Sequence, residues 1–485
     1  VARLRTFVRD AALYSVAQWL QRALGFLLIP IYTRVFSTAD YGVLDLAAAT
    51  VAFVAYLLQL GLKHAVTRYF NDSDDDEIRR AWFATALWAK VATYGPVAIL
   101  LGFAARPIAA GLLGDESWTG LIRVALLSVA TTGLWDYFLQ LERMRFRARA
   151  YALLSISHLL LSLGLTLLLV LVYERGVAGI YEARATVDAL MLAVVATRNR
   201  AWIVPPARGR IGPLLAFGLP FLPNAVAYYV IEFSDRYILQ WIRGPEELGL
   251  YAIAYKLASI LNLVGQGFAV AWDPYLWSVY RDPQGPARIR LVFQGFSVLL
   301  VIGATMIGAL GPEVLAVVTP ESFHAGAAFA PPLLAGVAFF FATTYFCVGI
   351  GVERRTIHRT WAGLTAAVVN ISLNVLWIPG WGAHGAAAAT LAAYLVYGLW
   401  VMRAAERLYP LGLQVGRLAA ALLAGIGVAW IAHRWEPAWA SSLVKVPVVA
   451  VIALALPFAT GLLKPGEARM VADRMVALVR ERRRV

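Results

Sequence analysis

Stretches of about twenty apolar residues recur along the whole of this chain, with no interval between them long enough for a soluble domain. About twenty helical residues, at 1.5 Å each, cross the roughly 30 Å hydrocarbon core of a bilayer. In lipid every backbone N–H and C=O needs a partner within the protein, which leaves only helices or closed barrels. A spanning barrel would show alternating segments of about ten residues, and the sequence has none. Charged residues make up 15% of the 485, against about 25% in an ordinary soluble domain. The chain therefore reads as an all-α polytopic membrane protein.

Fourteen spans are expected, at roughly 9–34, 41–67, 81–105, 118–141, 151–173, 177–197, 212–242, 248–278, 291–310, 326–350, 360–378, 383–402, 418–433 and 442–463. Thirty Lys and Arg residues fall on one side of this alternation and six on the other, the six being Arg34, Arg106, Arg175, Arg243, Arg434 and Lys445. Basic loops stay cytoplasmic, so both termini are placed in the cytoplasm. That bias also accounts for most of the net charge of +14 without a nucleic-acid partner. The first span is expected to act as its own insertion signal, since no cleavage site follows it.

The chain also repeats itself. Gly176 and Gly179 have counterparts in Gly382 and Gly385, and Gly61 through Tyr69 pairs with Gly267 through Tyr275, both at an offset of 206; Tyr41-Gly42 pairs with Leu248-Gly249 at 207. Six spans per repeat is an even number, so the halves are related by an axis along the membrane normal. The expected organisation is an N-terminal six-helix lobe at 1–205 and a second at 206–410. Transmembrane helices 13 and 14 lie within 411–464, with almost no intramembrane charge, and a basic amphipathic cytoplasmic tail occupies 465–485.

Six basic residues lie well inside the apolar stretches: Arg22, Lys90, Arg123, Arg184, Arg236 and Lys256. A charge at the bilayer centre costs about 2.5–3.5 kcal/mol on insertion scales, so such residues pair with acids or face water. Their sign suggests a cavity that receives an anion. Arg22 and Lys90 have no acid in their own helices and are the leading cavity candidates; Arg123, Arg236 and Lys256 lie closer to span ends, where snorkelling competes. Glu232 and Arg236 share a helix face at i, i+4, with Asp235 beside them. These form either a locked ion-pair cluster or a site that changes partners during transport. The same two readings hold for Glu182, Arg184 and Asp188, with Asp188 the better candidate for a protonatable group. Gly25 and Pro30 in the first span, and Pro220 and Pro223 in the seventh, are candidate gate hinges, because proline removes a helical hydrogen bond. Cys347 lies in an apolar run and reads as a packing residue. His158, His324, His358 and His384 have no metal-ligand spacing. No phosphate loop or nucleophile elbow is present, so no cofactor is expected.

Three segments carry a family likeness. Pro30-Ile-Tyr-Thr-Arg34 is followed by Tyr41-Gly42-Val43; Leu219-Pro220 leads to Asp235-Arg236 and then Leu248-Gly249-Leu250-Tyr251; Asn370 and Asn374 lead into Gly382 and Gly385-Ala386-Ala387. Over about residues 5–405 the chain resembles the Wzx-type polysaccharide flippases of the multidrug/oligosaccharidyl-lipid/polysaccharide (MOP) exporter superfamily. The resemblance implies two six-helix lobes around a central cavity that opens alternately to each face. It implies a polyprenyl-pyrophosphate-linked glycan as cargo, a bacterial cytoplasmic (inner) membrane location, and polysaccharide-assembly proteins as partners besides the bilayer. It gives importance to Asp235 and Arg236, and leaves proton or sodium coupling through Asp188, Glu232 or Asp235 open. A multidrug exporter of the same superfamily is the alternative, disfavoured by the positive charge. A membrane polysaccharide polymerase is a weaker one, since the loops are short and hold no catalytic carboxylate pair.

Overall fold

The computed structural model describes residue 20 and residues 25–435, 439–464 and 466. Regular structure among them is entirely helical. Most of the first expected span lies outside the described residues, Arg22 with it, as does the basic tail apart from Gly466. Among the described residues ten helices are long and apolar enough to cross a bilayer, or eleven if the bent pair 211–221 and 225–243 forms one span. Leu100, Leu153, Val368 and Leu376 are each more than 60% exposed on these helices, as lipid-facing side chains must be. The protein is a multi-pass, all-helical membrane protein.

The chain divides into two compact units between Tyr229 and Val230. The first contains α1 (Ile29–Val35), α2 (Thr38–Leu58), α3 (Leu62–Asn71), α4 (Asp76–Phe103), α5 (Ala105–Leu113), α6 (Thr119–Met144), α7 (Ala148–Leu167), α8 (Gly176–Arg198) and α9 (Ile211–Gly218). A capping box starts α2: Ser37 Oγ accepts from the Asp40 N–H, and the Asp40 carboxylate accepts from the Ser37 N–H, satisfying two donors the helix leaves open. Leu60 and Gly61, both at positive φ (48° and 64°), separate α2 from α3. At Gly61 the chain touches Gly218 backbone to backbone; an added Cβ would lie 2.1 Å from the Gly218 oxygen. Helix α6 packs against α2, α4, α7 and α8. Phe83 stacks on Tyr137 at 4.6 Å, and the Tyr137 hydroxyl donates to the Phe83 carbonyl (2.9 Å).

Helix α10 (Leu222–Arg243) leads into the second unit, which continues with α11 (Pro245–Ala258), α12 (Ile260–Val279), α13 (Gly285–Ala309), α14 (Gly311–Val318), α15 (Ala330–Phe346), α16 (Val348–Val352), α17 (Ile357–Leu408), α18 (Val415–Ala432) and α19 (Trp439–Ala459). Helix α15 is buried along nearly its whole length, packed by α11, α13, α17 and α18. The stretch α17 is two helices that meet at Gly382, where the backbone leaves the helical region (φ 54°, ψ −134°), between the expected spans 360–378 and 383–402.

Of the glycine pairs that recur in the sequence, Gly61 (φ 64°) and Gly267 differ, Gly267 lying within α12, whereas two others are alike. Gly176 and Gly382 both adopt positive φ (59° and 54°), which glycine tolerates without a Cβ clash. Gly179 and Gly385 both lack room for a Cβ, which would lie within 3.0 Å of Arg175 and of the Trp377 backbone respectively. Lys445, near the start of α19 and within the expected span 442–463, is fully buried, with Nζ 2.6 Å from Glu313 on α14, about 130 residues earlier in the chain.

Candidate functional site

A cavity of about 490 Å³ opens within the first unit. Its floor is a stripe on α6: Thr132, Asp136, Gln140 and Arg143, at spacings of four, four and three, which share one helix face. Small residues of α2, Ala48, Ala52 and Ala55, leave the space open on one side. Lys63 from α3, Lys90 from α4 and Arg184 from α8 project into it. Among the described residues the charged lining is thus four basic residues and one acid.

Each group is held in place by named contacts. Lys90 is 3% exposed, with Nζ 3.5 Å from the Tyr94 hydroxyl and over the rings of Tyr94 (4.9 Å) and Tyr137 (5.4 Å). A desolvated cation over aromatic faces gains roughly 2 kcal/mol. Gln140 ties the stripe to α3 by donating to the Lys63 carbonyl (3.1 Å) and the Thr67 hydroxyl (2.7 Å). Below Arg143, the fully buried Glu142 accepts from Asn199 (2.9 Å) and lies 3.7 Å from Arg198 and 3.9 Å from Arg147. That network fixes the end of α6 against the end of α8.

Arg184 is half exposed and reaches the cavity, while its Nε lies 3.3 Å from Thr132 Oγ1 and 3.9 Å from Asp188. Asp188 is fully buried; it accepts from the Thr132 hydroxyl and faces His158 Nε2 at 2.6 Å. Asp136 was not among the candidate residues, yet it is the acid of the cavity and is accessible from it. The polar stripe at helical spacing in an otherwise apolar span is the signal that marks it. A search for acids confined to the helix of Lys90 passes over it.

Other candidates sit elsewhere. Arg123 belongs to a separate cavity of about 950 Å³ with Asp40, Glu174, Arg175 and Glu182, twenty residues and about 30 Å along α6 from Arg143. Its Nε donates to the Gly102 carbonyl (3.3 Å), and Arg175 pairs with Glu182 at 2.7 Å. In the second unit Arg236 is 2% exposed, donating to the Glu232 carbonyl (2.5 Å) and Asp235 (3.1 Å) and lying 4.3 Å from the Tyr255 ring. Asp235 also accepts from Tyr251 and from Thr390 (3.2 Å), and Glu232 from Tyr394 (2.8 Å). In that unit the two acids and the arginine form one hydrogen-bonded cluster, tied to α11 and α17. Lys256 is exposed in the last turn of α11. Pro30 lies in the first turn of α1. Pro220 lies in a tight turn, 219–221, and Pro223 at the start of α10; the helices flanking them differ in direction by 46°. A Cβ on Gly25 would meet nothing within 4 Å.

Comparison with known proteins agrees with this architecture. No curated protein sequence matches the chain. Among solved structures, the lipid II flippase MurJ in an inward closed conformation gives a TM-score of 0.70 at 13% identity, over 93% of this chain and 100% of that one. An outward-facing multidrug resistance MATE family transporter of the MOP superfamily gives 0.55 at 14% identity, over 86% and 96%. A MOP superfamily transporter from Pyrococcus furiosus gives 0.56 at 15% identity, over 83% and 96%. The chain has the fold of the MOP-superfamily transporters. Its residues 7–279, more than half its length, match the family of polysaccharide biosynthesis proteins, and the protein belongs to that family.

Proposed function

We propose that this protein is a Wzx-like flippase, a transporter and not an enzyme, that moves a polyprenyl-pyrophosphate-linked oligosaccharide from the inner to the outer leaflet by alternating access. The observation that carries the proposal is the charge of the cavity in the first unit, four basic residues to one acid, at a depth where unneeded charge is costly. A pyrophosphate diester is ionised on both phosphorus centres, and arginine meets its oxygens with paired hydrogen bonds. Fixed cations in a site of reduced dielectric attract such a group more strongly than they would in water. A cationic drug would be repelled by the same lining, which disfavours the multidrug reading. Within this fold pocket polarity bears on function: the Pyrococcus furiosus structure is described as having a reversed binding-pocket polarity that suggests a different function.

In the same proposal the chain crosses the bacterial cytoplasmic membrane fourteen times, with both termini inside, as two six-helix lobes and two added helices. The test is reconstitution of the full chain into liposomes containing a fluorescent polyprenyl-pyrophosphate oligosaccharide, with flipping read by an impermeant quencher. Wild type is expected to expose the label to both leaflets. Lys90→Met combined with Arg184→Gln is expected to slow this at least tenfold, with protein levels unchanged. Full flipping by the double variant, or none by wild type alongside extrusion of cationic dyes, overturns the proposal.

A further inference from the structure

We propose that His158 and Asp188 form a proton-binding site that sets how tightly the cavity of the first unit holds an anion, with Arg184 as the link between them. The proposal rests on that cavity being an anion site. Three observations meet here. His158, on α7, places Nε2 2.6 Å from Asp188 Oδ1, and its ring is stacked on Trp135 at 5.2 Å with 10° between planes. Asp188 is fully buried, and its other oxygen engages Thr132 and Arg184. Arg184 is 47% exposed and lines the cavity. One buried carboxylate thus divides its charge between an imidazole and a cavity arginine.

Imidazole is the side chain whose charge ordinarily changes between about pH 5 and 8, and histidines within membrane spans recur in proton relays. Nε2 faces the carboxylate, so the proton gained or lost is the one on Nδ1. When His158 is neutral, Asp188 and Arg184 cancel each other. When His158 is protonated it compensates Asp188, and the charge of Arg184 becomes available to an anion in the cavity. The group gains a positive charge with no change of fold, and anion affinity rises as pH falls. By linkage, anion binding draws a proton onto the site.

Other charged groups face the same region. Asp136 on α6 lies within electrostatic range of Arg184, Asp188, His158 and Lys63; Lys90 comes from α4, and Asp45 from α2 lies near Tyr181 on α8. His158 is the imidazole of this cluster, and comparison of wild type with His158→Gln separates its response from that of the neighbouring lysine and carboxylate.

The test measures binding of inorganic pyrophosphate to the purified full chain in detergent, by calorimetry at pH 5.5 and 8 in buffers of differing ionisation heat. His158→Gln keeps a donor toward Asp188 but cannot take up a proton, and it also corrects for protonation of pyrophosphate itself. Wild type is expected to gain at least about fivefold in affinity at pH 5.5 relative to His158→Gln, within the usual range of coupling, and to take up more protons on binding. Arg184→Gln, at a half-exposed position, is expected to bind more weakly and to lose that excess. If wild type binds pyrophosphate with the same pH dependence as His158→Gln, or if Arg184→Gln keeps the full excess, the proton site is refuted while the anion cavity stands. If wild type binds no pyrophosphate at either pH, the anion cavity is refuted, and the proton site with it.

Discussion

The contact between Gly61 and Gly218 gives the most sharply defined prediction. A Cβ on Gly61 would lie 2.1 Å from the Gly218 oxygen, 2.5 Å from its carbonyl carbon and 2.6 Å from its Cα. Ordinary van der Waals contact begins near 3.4 Å, so the two backbones would have to separate by about 1.3 Å. Both partners are backbone, and neither can swing aside as a side-chain end would. Gly61 also sits at φ 64°, which costs a non-glycine residue about 1–2 kcal/mol, and overpacking adds about 1–3 kcal/mol. Gly61→Ala should therefore destabilise by about 2–5 kcal/mol. For a unit of this size that is a loss of roughly 5–15 °C in the melting midpoint. The assay is thermal aggregation of the detergent-solubilised full chain, followed by size-exclusion chromatography at a fixed heating time. Gly114→Ala is the control, because Gly114 shares the positive φ (76°) but has nothing within 4 Å of an added Cβ. A Gly61→Ala midpoint no lower than that of Gly114→Ala would refute the close approach of α3 and α9.

Three further outcomes are expected. Asp136→Asn should tighten pyrophosphate binding at least threefold at neutral pH, since it removes the one acid facing four bases; unchanged or weaker binding in a titration counts against the cavity as the anion site. Lys445→Met should cost about 3–5 kcal/mol, because it leaves Glu313 without its partner 2.6 Å away, whereas adding Glu313→Gln should recover most of the loss, as read from thermal midpoints of the two variants. Tyr394→Phe should lower stability by about 1–3 kcal/mol through the lost hydrogen bond to the partly buried Glu232, while leaving pyrophosphate affinity in the first unit unchanged.

Hydropathy alone locates the helices well, because the bilayer imposes one length and one backbone solution on each crossing. The apolar stretches around 41–67 and 151–173 correspond to α2 with α3 and to α7 with the turn that follows it. Charges were less legible. For Glu232, Asp235 and Arg236 the spacing leaves two roles open, and it does not show Tyr251, Thr390 and Tyr394, which arrive from helices up to about 160 residues away. No periodicity within one helix announces such partners. The Lys445–Glu313 pair is hidden for the same reason, its members lying about 130 positions apart. Asp136 is the opposite case. Its stripe with Thr132 and Gln140 is visible in one helix, and the polar face would have identified it without any tertiary information.

Lys90 has a consequence that follows from how it is held. Most buried ammonium groups are fixed by a carboxylate, and the pair then acts outwardly as a dipole whose field fades quickly with distance. Lys90 is fixed by the faces of Tyr94 and Tyr137, and among the described residues no carboxylate approaches within 4 Å of its Nζ. The rings steady the group yet carry no net charge, so what offsets its field is Asp136, which acts on it across the cavity without forming an ion pair. An anion entering anywhere along the cavity would sense Lys90 before touching it. Two neutral tyrosines thereby let the protein immobilise a charge without spending that charge on its own anchor.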